Sequence, residues 1–470
     1  MTALPARRSS LVPLLAVAGA VVLAVATQLS AVLPAADPLG LDEPLLDASF
    51  VPEPDDVGPC AGGCADQPFD PAAELDRVRA DVSFWADRLA ADPANVAAAV
   101  RLADANAADA RLTGDVRGYT RALGAADVAL EAHPRYVPAL ASRASSLIAL
   151  HRFGEARDAA RMILAQDAAN SVALGVIGDA SLELGDLADA GAAYQALRLS
   201  DGGSASLVRD GRLAFVRGDT GDAVTADEAA VDAALDEGLE GGALAFFHAT
   251  LGETRVAAGD AAGARNAFET ALQVRPELPA ALVGLARLDA FEGRLDEAVR
   301  RLDTAIAAIP APDWLARRSD LLERRGGPTD ADAAAADRAT IEAIGGLAGE
   351  AGSVYDRGLV LYLADHGLDP DRAVRLARDE LAIRPDTYGY DALAWALLGA
   401  GDAAAADEPM RLALAAGTED ARLWYHAGVI DAALGRGDEA RVYLEQALEL
   451  GPALDPVSRD RAQQALDGQR

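Results

Sequence analysis

Lysine is absent from this 470-residue chain, so all 42 of its basic residues are arginine. This absence excludes the lysine chemistry of Schiff-base enzymes and of phosphate-binding P-loops. The chain has only two cysteines, Cys60 and Cys64, and five histidines, which nearly excludes a cluster of metal ligands. Acidic residues number 74 and give a net charge of −32, which argues against a nucleic-acid partner because phosphate binding needs a basic surface. We therefore expect no metal, no cofactor and no nucleic acid.

Aromatic residues are scarce, at 5% of the chain, whereas 51% of the residues are hydrophobic, mainly alanine followed by leucine and valine. Alanine is the best helix former, so the composition predicts an all-α protein. Walker A, G-x-S-x-G, H-E-x-x-H and dinucleotide-binding glycine motifs are also missing from the sequence, and each of these motifs carries a known chemistry. We expect no catalytic activity.

The N-terminal 36 residues have the pattern of a targeting segment. Arg7 and Arg8 precede an apolar run over residues 11–36, which is typical of a secretory signal. A small-x-small cleavage site occurs at Ala24-Val25-Ala26, yet the run is also long enough to remain as a membrane-spanning helix. Both alternatives stay open, and both predict that the bulk of the chain lies outside the cytoplasm, secreted or anchored to the membrane.

Residues 37–70 are rich in proline, aspartate and glycine and are predicted to form a flexible linker. Within it, Cys60 and Cys64 either close a small disulfide loop, as an oxidising compartment allows, or are incidental. The alternative, a thiol or metal site, is disfavoured because the spacing is not C-x-x-C and no histidine is near. We expect the linker to lead into a repeat domain over residues 71–454. Residues 455–470 are expected to form a capping helix and tail.

A repeat is visible as two parallel series of mostly small residues with intervals of 33, 34 or 41 residues. The first series is Ala144, Gly178, Gly211, Gly252, Ala286, Asp320, Leu361, Ala394 and Gly428, and the second lies twelve residues later, at Ala156, Ala190, Ala223, Ala264, Ala298, Asp332, Ala373, Ala406 and Ala440. A glycine falls between the two series in most units, and prolines close several of them. This pattern predicts a helix, a short turn at the glycine, and a second helix that ends before the proline.

These residues resemble the tetratricopeptide repeat (TPR), whose 34-residue helix-turn-helix unit carries small residues, a turn glycine and a terminal proline in this arrangement. The resemblance covers residues 97–452, with nine units in register and a looser tenth over residues 96–134. It implies a right-handed α-solenoid superhelix that binds a partner protein or peptide in its concave groove. The segments 388–402 and 423–440 also resemble exported bacterial TPR proteins of undetermined role.

Two of the intervals contain seven extra residues, near 231–242 and 341–352. Seven residues make two helical turns, so each insertion is expected to lengthen a second helix. The insertions either bend the superhelix or are local extensions without a role.

The groove surface can be extrapolated from the first series, because fixed offsets from each anchor face the concave side. The construction gives a partner-binding groove of Arg212, Phe215, Phe246, Arg287, Phe291, Trp314, Arg317, Arg324, Tyr355, Tyr362, Tyr388, Asp391, Trp395, Arg422 and Tyr425, together with Glu253, Arg325, Asp365 and His366. Aromatic residues and arginine are enriched in the cores of protein interfaces. The leading hypothesis is therefore a non-catalytic scaffold of the cell envelope.

Two alternatives remain open at this stage. The protein could assemble through its convex or edge surfaces, or it could be an accessory subunit that binds a small anionic ligand. In the latter case Arg287, Arg317, Arg324 and Arg325 would bind carboxylates, unless they pair with acidic neighbours. A peptide groove predicts that Trp314, Tyr362 and Trp395 share one continuous surface, whereas a small-ligand site needs a closed pocket with converging arginines. His366 and His426 are interpreted as structural residues.

Overall fold

The computed structural model describes residues 71–351 and 357–468. These ranges contain 22 α-helices and two short 3-10 helices, with no β-strand in them, which confirms the all-α prediction. The signal or anchor segment 1–36, the linker 37–70 with Cys60 and Cys64, and Tyr355 lie outside the described residues. None of the helices within the described part is both long and apolar enough to cross a membrane.

The α-helices follow one another with short connections. Their bounds are α1 Pro71–Ala91, α2 Val96–Thr113, α3 Arg117–Ala132, α4 Val137–Ala149, α5 Phe153–Leu164, α6 Ser171–Glu183, α7 Leu187–Ser200, α8 Ser204–Val216, α9 Thr220–Asp236, α10 Gly241–Ala257, α11 Ala261–Val274, α12 Pro279–Phe291, α13 Leu295–Ala308, α14 Pro312–Arg325, α15 Asp330–Ala351, α16 Arg357–Asp365, α17 Pro370–Ile383, α18 Thr387–Gly399, α19 Ala403–Ala413, α20 Ala421–Ala433, α21 Gly437–Glu449 and α22 Pro456–Gly468. The 3-10 helices are Leu414–Ala416 and Gly451–Ala453.

Ten consecutive helix pairs, from α2/α3 to α20/α21, form the solenoid, as the periodicity predicts. The first series of anchors lies on the first helices and the second series on the second helices. The anchors are small because a large side chain from the paired helix occupies the space beside them. A Cβ atom on Gly252 would lie 2.5 Å from Phe268 Cε1, and one on Gly428 would lie 2.7 Å from Leu444 Cγ.

The insertions have the expected effect on the second helices and one further effect. Helix α9 has 17 residues and α15 has 22, so both second helices are longer than those of neighbouring units. The first insertion also lengthens the following helix, α10, to 17 residues. At the C terminus, Ala462 and Leu466 of α22 are buried with Leu444 of α21, so α22 covers the last pair.

The solenoid winds back onto itself after roughly 200 residues. Arg275 Nη2 donates to Glu74 Oε2 at 2.9 Å, across 201 positions of sequence. Thr418 Oγ1 donates to the carbonyl oxygen of Val216 at 2.5 Å, across 202 positions. Successive turns of the superhelix are therefore in direct contact, and the concave side is walled by both turns.

Candidate functional site

The concave side encloses a cavity of about 800 Å³. Helices α8, α10, α12 and α14 contribute one part of its lining, whereas the segments 384–390, 412–422 and 453–458 contribute another. The charged lining residues are Arg212, Arg287, Arg317, Arg357, Arg384 and Arg422, with Asp227, Glu253, Asp313, Asp365, Asp386, Asp420 and Asp455. The volume lies in the range of about 300–1,000 Å³ that is usual for ligand sites.

Two glycines allow the turns of the superhelix to meet beside this cavity. A Cβ atom on Gly185 would overlap the carbonyl oxygen of Pro385, and one on Gly218 would overlap that of Gly417. Both Gly185 and Gly218 have positive φ angles, +72° and +84°, which other residues adopt only with strain. Glycine is thus required here for the inter-helix turn and for the approach of the next superhelical turn.

A buried network of charges joins the two turns, and we name it the clasp. It consists of Glu183, Arg212, Arg357, Glu380, Arg384 and Asp386. Glu183 accepts hydrogen bonds from Arg212 and from Arg384, which lies 201 residues away. Arg357 Nη2 donates to Glu380 Oε1 at 2.6 Å and to Asp386 Oδ1 at 2.8 Å.

The clasp perturbs the ionisation of its members. Burial alone would raise the pKa of Glu183, but Arg384 and Arg212 outweigh burial and hold that pKa well below its usual range. Burial, assisted by Arg384, lowers the pKa of the neighbouring His151 to about 3. Glu183 is therefore ionised and His151 neutral near pH 7.

Seven of the predicted groove residues line the cavity. They are Arg212, Phe215, Phe246, Arg287, Arg317, Tyr388 and Arg422, and the additional candidates Glu253 and Asp365 line it as well. The offsets from the anchors therefore identified one wall of the cavity and, with Tyr388 and Arg422, a few residues of the other. They identified none of the residues that the other superhelical turn contributes through its loops.

Five predicted groove residues lie elsewhere, in the packed core instead of on an open surface. Trp314 and Tyr362 belong to the same buried cluster, and Trp395 and Tyr425 to a second one. Asp391 is fully buried. The four aromatic side chains are buried because a large ring gains most by removing its apolar area from water. At these offsets the next unit is close enough to cover the ring. The expected continuous surface of Trp314, Tyr362 and Trp395 is therefore not present.

The remaining candidates lie outside the cavity lining. Phe291 is partly exposed and contacts Arg459, whose guanidinium carbon lies 4.9 Å from the ring centre. Arg324 donates to Asp460 at 2.5 Å. Arg325 donates to Asp330 at 2.7 Å and to Asp296 at 3.0 Å, and His366 Nε2 lies 2.8 Å from Asp320 Oδ1.

The proposed patch of four arginines thus separates into two pairs. Arg324 and Arg325 are neutralised by acidic neighbours outside the cavity, whereas Arg287 and Arg317 line it. Arg287 pairs with Glu253. Arg317 differs, because among the described residues it has no ion pair and no hydrogen bond, and its Nε atom is buried.

The electrostatic surroundings of Arg317 are unfavourable for its charge. Burial, followed by the repulsion of Arg287, holds the pKa of Arg317 below its usual range, although Asp455, Asp313 and Glu253 oppose this effect. The Arg317 side chain is half-buried, and its Nε atom is withdrawn from water without a hydrogen bond, which costs free energy. The cavity therefore contains one guanidinium that no carboxylate of the described residues contacts directly.

Two other lining groups are strongly influenced by burial. Burial raises the pKa of Asp227 to about 7, although a hydrogen bond from Thr254 opposes the rise. Burial also raises the pKa of Tyr388 well above its usual range, and Asp420, whose carboxylate accepts the Tyr388 hydroxyl at 3.2 Å, adds to it. Tyr388 thus acts as a hydrogen-bonding group and not as a base near pH 7.

Sequence reasoning missed lining residues at loops and helix ends of both superhelical turns. They include His151, Arg357, Arg384, Pro385, Asp386, Asp420 and Asp455. Several of these residues lie at helix ends, and Asp386 and Asp420 are N-caps of α18 and α20. No local signal marks them, because they reach the site only through contacts about 200 residues apart.

The described residues contain no group of three or more histidine, cysteine, aspartate or glutamate side chains that could hold a metal ion. The cavity offers arginine, carboxylate, histidine and tyrosine groups in a partly apolar lining. These groups suit the recognition of a polar ligand by hydrogen bonds and charge.

Two family models match the chain, both described as tetratricopeptide repeat, one over residues 255–321 and the other over residues 421–453. No curated protein matches the chain.

Solved structures with a similar arrangement of helices include three repeat proteins of low sequence identity. A tetratricopeptide repeat protein from Parabacteroides merdae is 14% identical, with a TM-score of 0.39, over 51% of this chain and 90% of its own. Yeast Tom70 is 12% identical, with a TM-score of 0.38, over 85% of this chain and 96% of its own. PilW, a type IV pilus biogenesis factor, is 16% identical, with a TM-score of 0.38, over 44% of this chain and 92% of its own.

The two family matches lie in the middle and at the end of the array, and the helix pairs between and before them repeat the same unit with the same anchors. Residues 255–321 and 421–453 thus match the tetratricopeptide repeat, and the chain as a whole resembles an array of such helix-turn-helix units.

Proposed function

We propose that the protein is a non-catalytic scaffold of the cell envelope that receives an acidic segment of a partner protein in its inner cavity. The observation that carries the proposal is Arg317, a guanidinium that lines the cavity beside Arg287 and has no partner among the described residues. A carboxylate can accept two parallel hydrogen bonds from one guanidinium. An acidic segment would thus supply the direct ion pair that Arg317 does not have among the described residues.

The net charge of the chain makes the lack of an ion pair at Arg317 more informative. Acidic residues outnumber basic ones by 74 to 42, so a cation without a direct ion pair is unexpected on charge alone. The other cavity arginines, from Arg212 to Arg422, have carboxylates within 4 Å. Arg317 is the lining arginine for which the described residues provide none.

A second candidate function is supported by the shape of the site. The cavity is bounded by two superhelical turns and contains converging arginines, which is the arrangement expected for a small anionic ligand. A free carboxylate compound and an acidic peptide share the chemistry that Arg317 requires. The experiment below separates the two sources.

The test measures binding of a fluorescein-labelled penta-glutamate peptide to the full chain in detergent by fluorescence anisotropy, with penta-glutamine as the neutral peptide and citrate as the small anion. Arg317→Gln should weaken penta-glutamate binding by about 10-fold or more, since a hydrogen bond to a charged group contributes about 1.5–3 kcal/mol. The matched control is Arg324→Gln, because Arg324 pairs with Asp460 outside the cavity.

Each outcome bears on one of the two candidates. Equal affinity of wild type and Arg317→Gln for penta-glutamate would contradict the acidic-segment proposal, as would equal binding of penta-glutamine. Tight binding of citrate alone, lost in Arg317→Gln, would favour the small-ligand function. The envelope location rests on the sequence of residues 1–36, and recovery of the full chain in the cytosolic fraction of its native cells would contradict it.

A further inference from the structure

Trp395 contacts two residues that line the cavity, Asp365 and His426, and each of them has a hydrogen-bond acceptor. Its indole Nε1 donates to Asp365 Oδ1 at 2.8 Å. Its ring stacks on the imidazole of His426, with 3.9 Å between ring centres and 11° between planes. Asp365 ends α16, Trp395 lies on α18 and His426 lies on α20, so one side chain aligns residues from three successive units, and Asp365 and His426 both line the cavity.

The buried carboxylate of Asp391 orients the imidazole of His426. His426 Nδ1 lies 2.7 Å from Asp391 Oδ1, and both residues are almost fully buried. Although burial opposes it, His426 and Arg422 keep the pKa of Asp391 below its usual value. A carboxylate can only accept, so Nδ1 carries a hydrogen, and the tautomer with its hydrogen on Nδ1 has its lone pair on Nε2. Nε2 has no hydrogen bond within the part of the chain that the structure describes.

The second acceptor is the outer carboxylate oxygen of Asp365. Oδ1 receives the indole N–H, and the backbone carbonyl of Asp365 receives Arg461 Nη1 at 3.3 Å. Oδ2 has no donor among the described residues. Oδ2 is accessible from the cavity, so a ligand that supplies an N–H donor at this point could form a hydrogen bond to it.

The charges around this position decide which kind of donor fits. Asp365 and Asp455 both line the cavity here, and two nearby guanidiniums are already engaged, Arg422 with Asp391 at 3.5 Å and Arg461 with the Asp365 carbonyl oxygen at 3.3 Å. Leu361 and Leu454 add apolar lining. The surroundings therefore favour a positively charged donor attached to an apolar chain.

We propose that Asp365 and His426 form a binding site for a protonated primary amino group. An ammonium group has three N–H donors and no acceptor. It would donate one hydrogen bond to Asp365 Oδ2 and one to His426 Nε2, while the carboxylate neutralises its charge. The inference rests on the proposed function in that it uses the same cavity, but its residues are separate from Arg317.

The amine can come from a lysine side chain or from a peptide amino terminus, and the chemistry of the site is the same for both. N-acetyl-lysine methyl amide presents only the first, and alanyl-alanine amide presents only the second. The site itself is tested with n-butylamine, compared with n-butanol as a neutral donor and butyrate as an anion.

The experiment is calorimetric titration of the full chain with these three probes. Asp365→Asn removes the charge and keeps an oxygen that can accept the indole N–H, so the fold should be retained. The matched control is Asp320→Asn, because Asp320 also pairs with a histidine but does not line the cavity. We expect butylamine to bind wild type and Asp320→Asn equally and Asp365→Asn at least about 10-fold more weakly.

A second variant keeps the test independent of Asp365. His426→Gln removes the imidazole acceptor and should also weaken butylamine binding, with the circular dichroism spectrum checked for retained helix. Absence of butylamine binding, equal binding to Asp365→Asn, or equally tight binding of butanol would each overturn the inference. If butylamine binding fails the test but Arg317→Gln still weakens penta-glutamate binding, the proposed function stands without the amine site. If butylamine binding passes the test but Arg317→Gln has no effect on penta-glutamate, only the proposed function is contradicted.

Discussion

At the residue scale, the most informative feature is the close approach of helices at the small anchors. Tyr194 reaches so close to Gly178 that a Cβ atom there would overlap its ring, and Phe268 stands in the same relation to Gly252. The same close approach recurs at Gly428, where a Cβ atom would lie 2.7 Å from Leu444 Cγ. The repeated spacing of the small anchors can be recognised in a single sequence. Which large side chain packs against each anchor depends on how the two helices pair.

Gly252→Ala should destabilise the protein by about 1–3 kcal/mol, because the added methyl group would lie 2.5 Å from Phe268 Cε1 in a packed core. Gly124→Ala is the matched control. Gly124 lies inside α3, and no other atom is within 4 Å of the position that a Cβ atom would occupy. This change should therefore stabilise the protein by roughly 0.5–1 kcal/mol through helix propensity. Urea unfolding followed by circular dichroism measures both, and equal midpoints for the two variants would contradict the packing argument.

At the element scale, buried polar contacts connect helices that the anchors alone do not join. Asp227 of α9 accepts a hydrogen bond from Thr254 Oγ1 of α10 at 2.6 Å. The other oxygen, Asp227 Oδ1, is buried without a partner. Burial of a carboxyl group with one hydrogen bond and no cation explains why its pKa rises to about 7.

This pKa predicts a pH dependence with a definite sign. The carboxyl group has a pKa of 3.8 when solvated and about 7 in the fold, so the folded state binds the extra proton between these pH values. The stability that Asp227 contributes is therefore lost as the pH rises through about 7. Relative to wild type, Asp227→Asn should become more stable between pH 4 and pH 8, by up to about 4 kcal/mol.

Urea unfolding of Asp227→Asn and wild type at pH 4 and pH 8 measures the difference in their free energies of unfolding. The other titrating groups are the same in both proteins, so their contributions cancel. Asp222→Asn, on the same helix but at an exposed position, is the control and should show no pH-dependent gain. A gain of equal size at pH 4 and pH 8 would show that the ionisation of Asp227 is not its source.

At the scale of the whole molecule, the clasp determines whether the superhelix encloses a cavity. Its members are almost all buried and belong to two superhelical turns, with Glu183 between Arg212 and Arg384. Removing one partner of a buried ion pair leaves the other charge uncompensated and costs about 3–5 kcal/mol. The turns can avoid that cost by separating, because water then solvates the arginines.

Glu183→Gln should therefore open the solenoid, with an increase in the radius of gyration measured by small-angle X-ray scattering. Hydrogen exchange should also become faster around residues 384–388 and 417–418. The matched control is Glu408→Gln, since Glu408 pairs with Arg411 at an exposed site on α19, and it should leave the scattering curve unchanged. A Glu183→Gln protein with the radius and exchange rates of wild type would show that the clasp does not hold the turns together.

The sequence by itself determined the helical content, the ten units, the positions of their turns and one wall of the cavity. These features depend on local rules: small residues where helices approach, glycine where φ is positive, and proline after a helix end. Arg212, Arg287 and Arg317 were identified in this way, because their offset from an anchor is enough to place them on the concave side.

Only the tertiary structure decided that the concave side forms a cavity lined by two superhelical turns and that Trp314, Tyr362 and Trp395 belong to the core. Both outcomes depend on the small rotation between successive units, which accumulates over the array until residues about 200 positions apart meet. The accumulated rotation therefore cannot be predicted from the residues of a single unit. The partners of a given arginine, such as Glu183 for Arg384 and none among the described residues for Arg317, follow from the same closure.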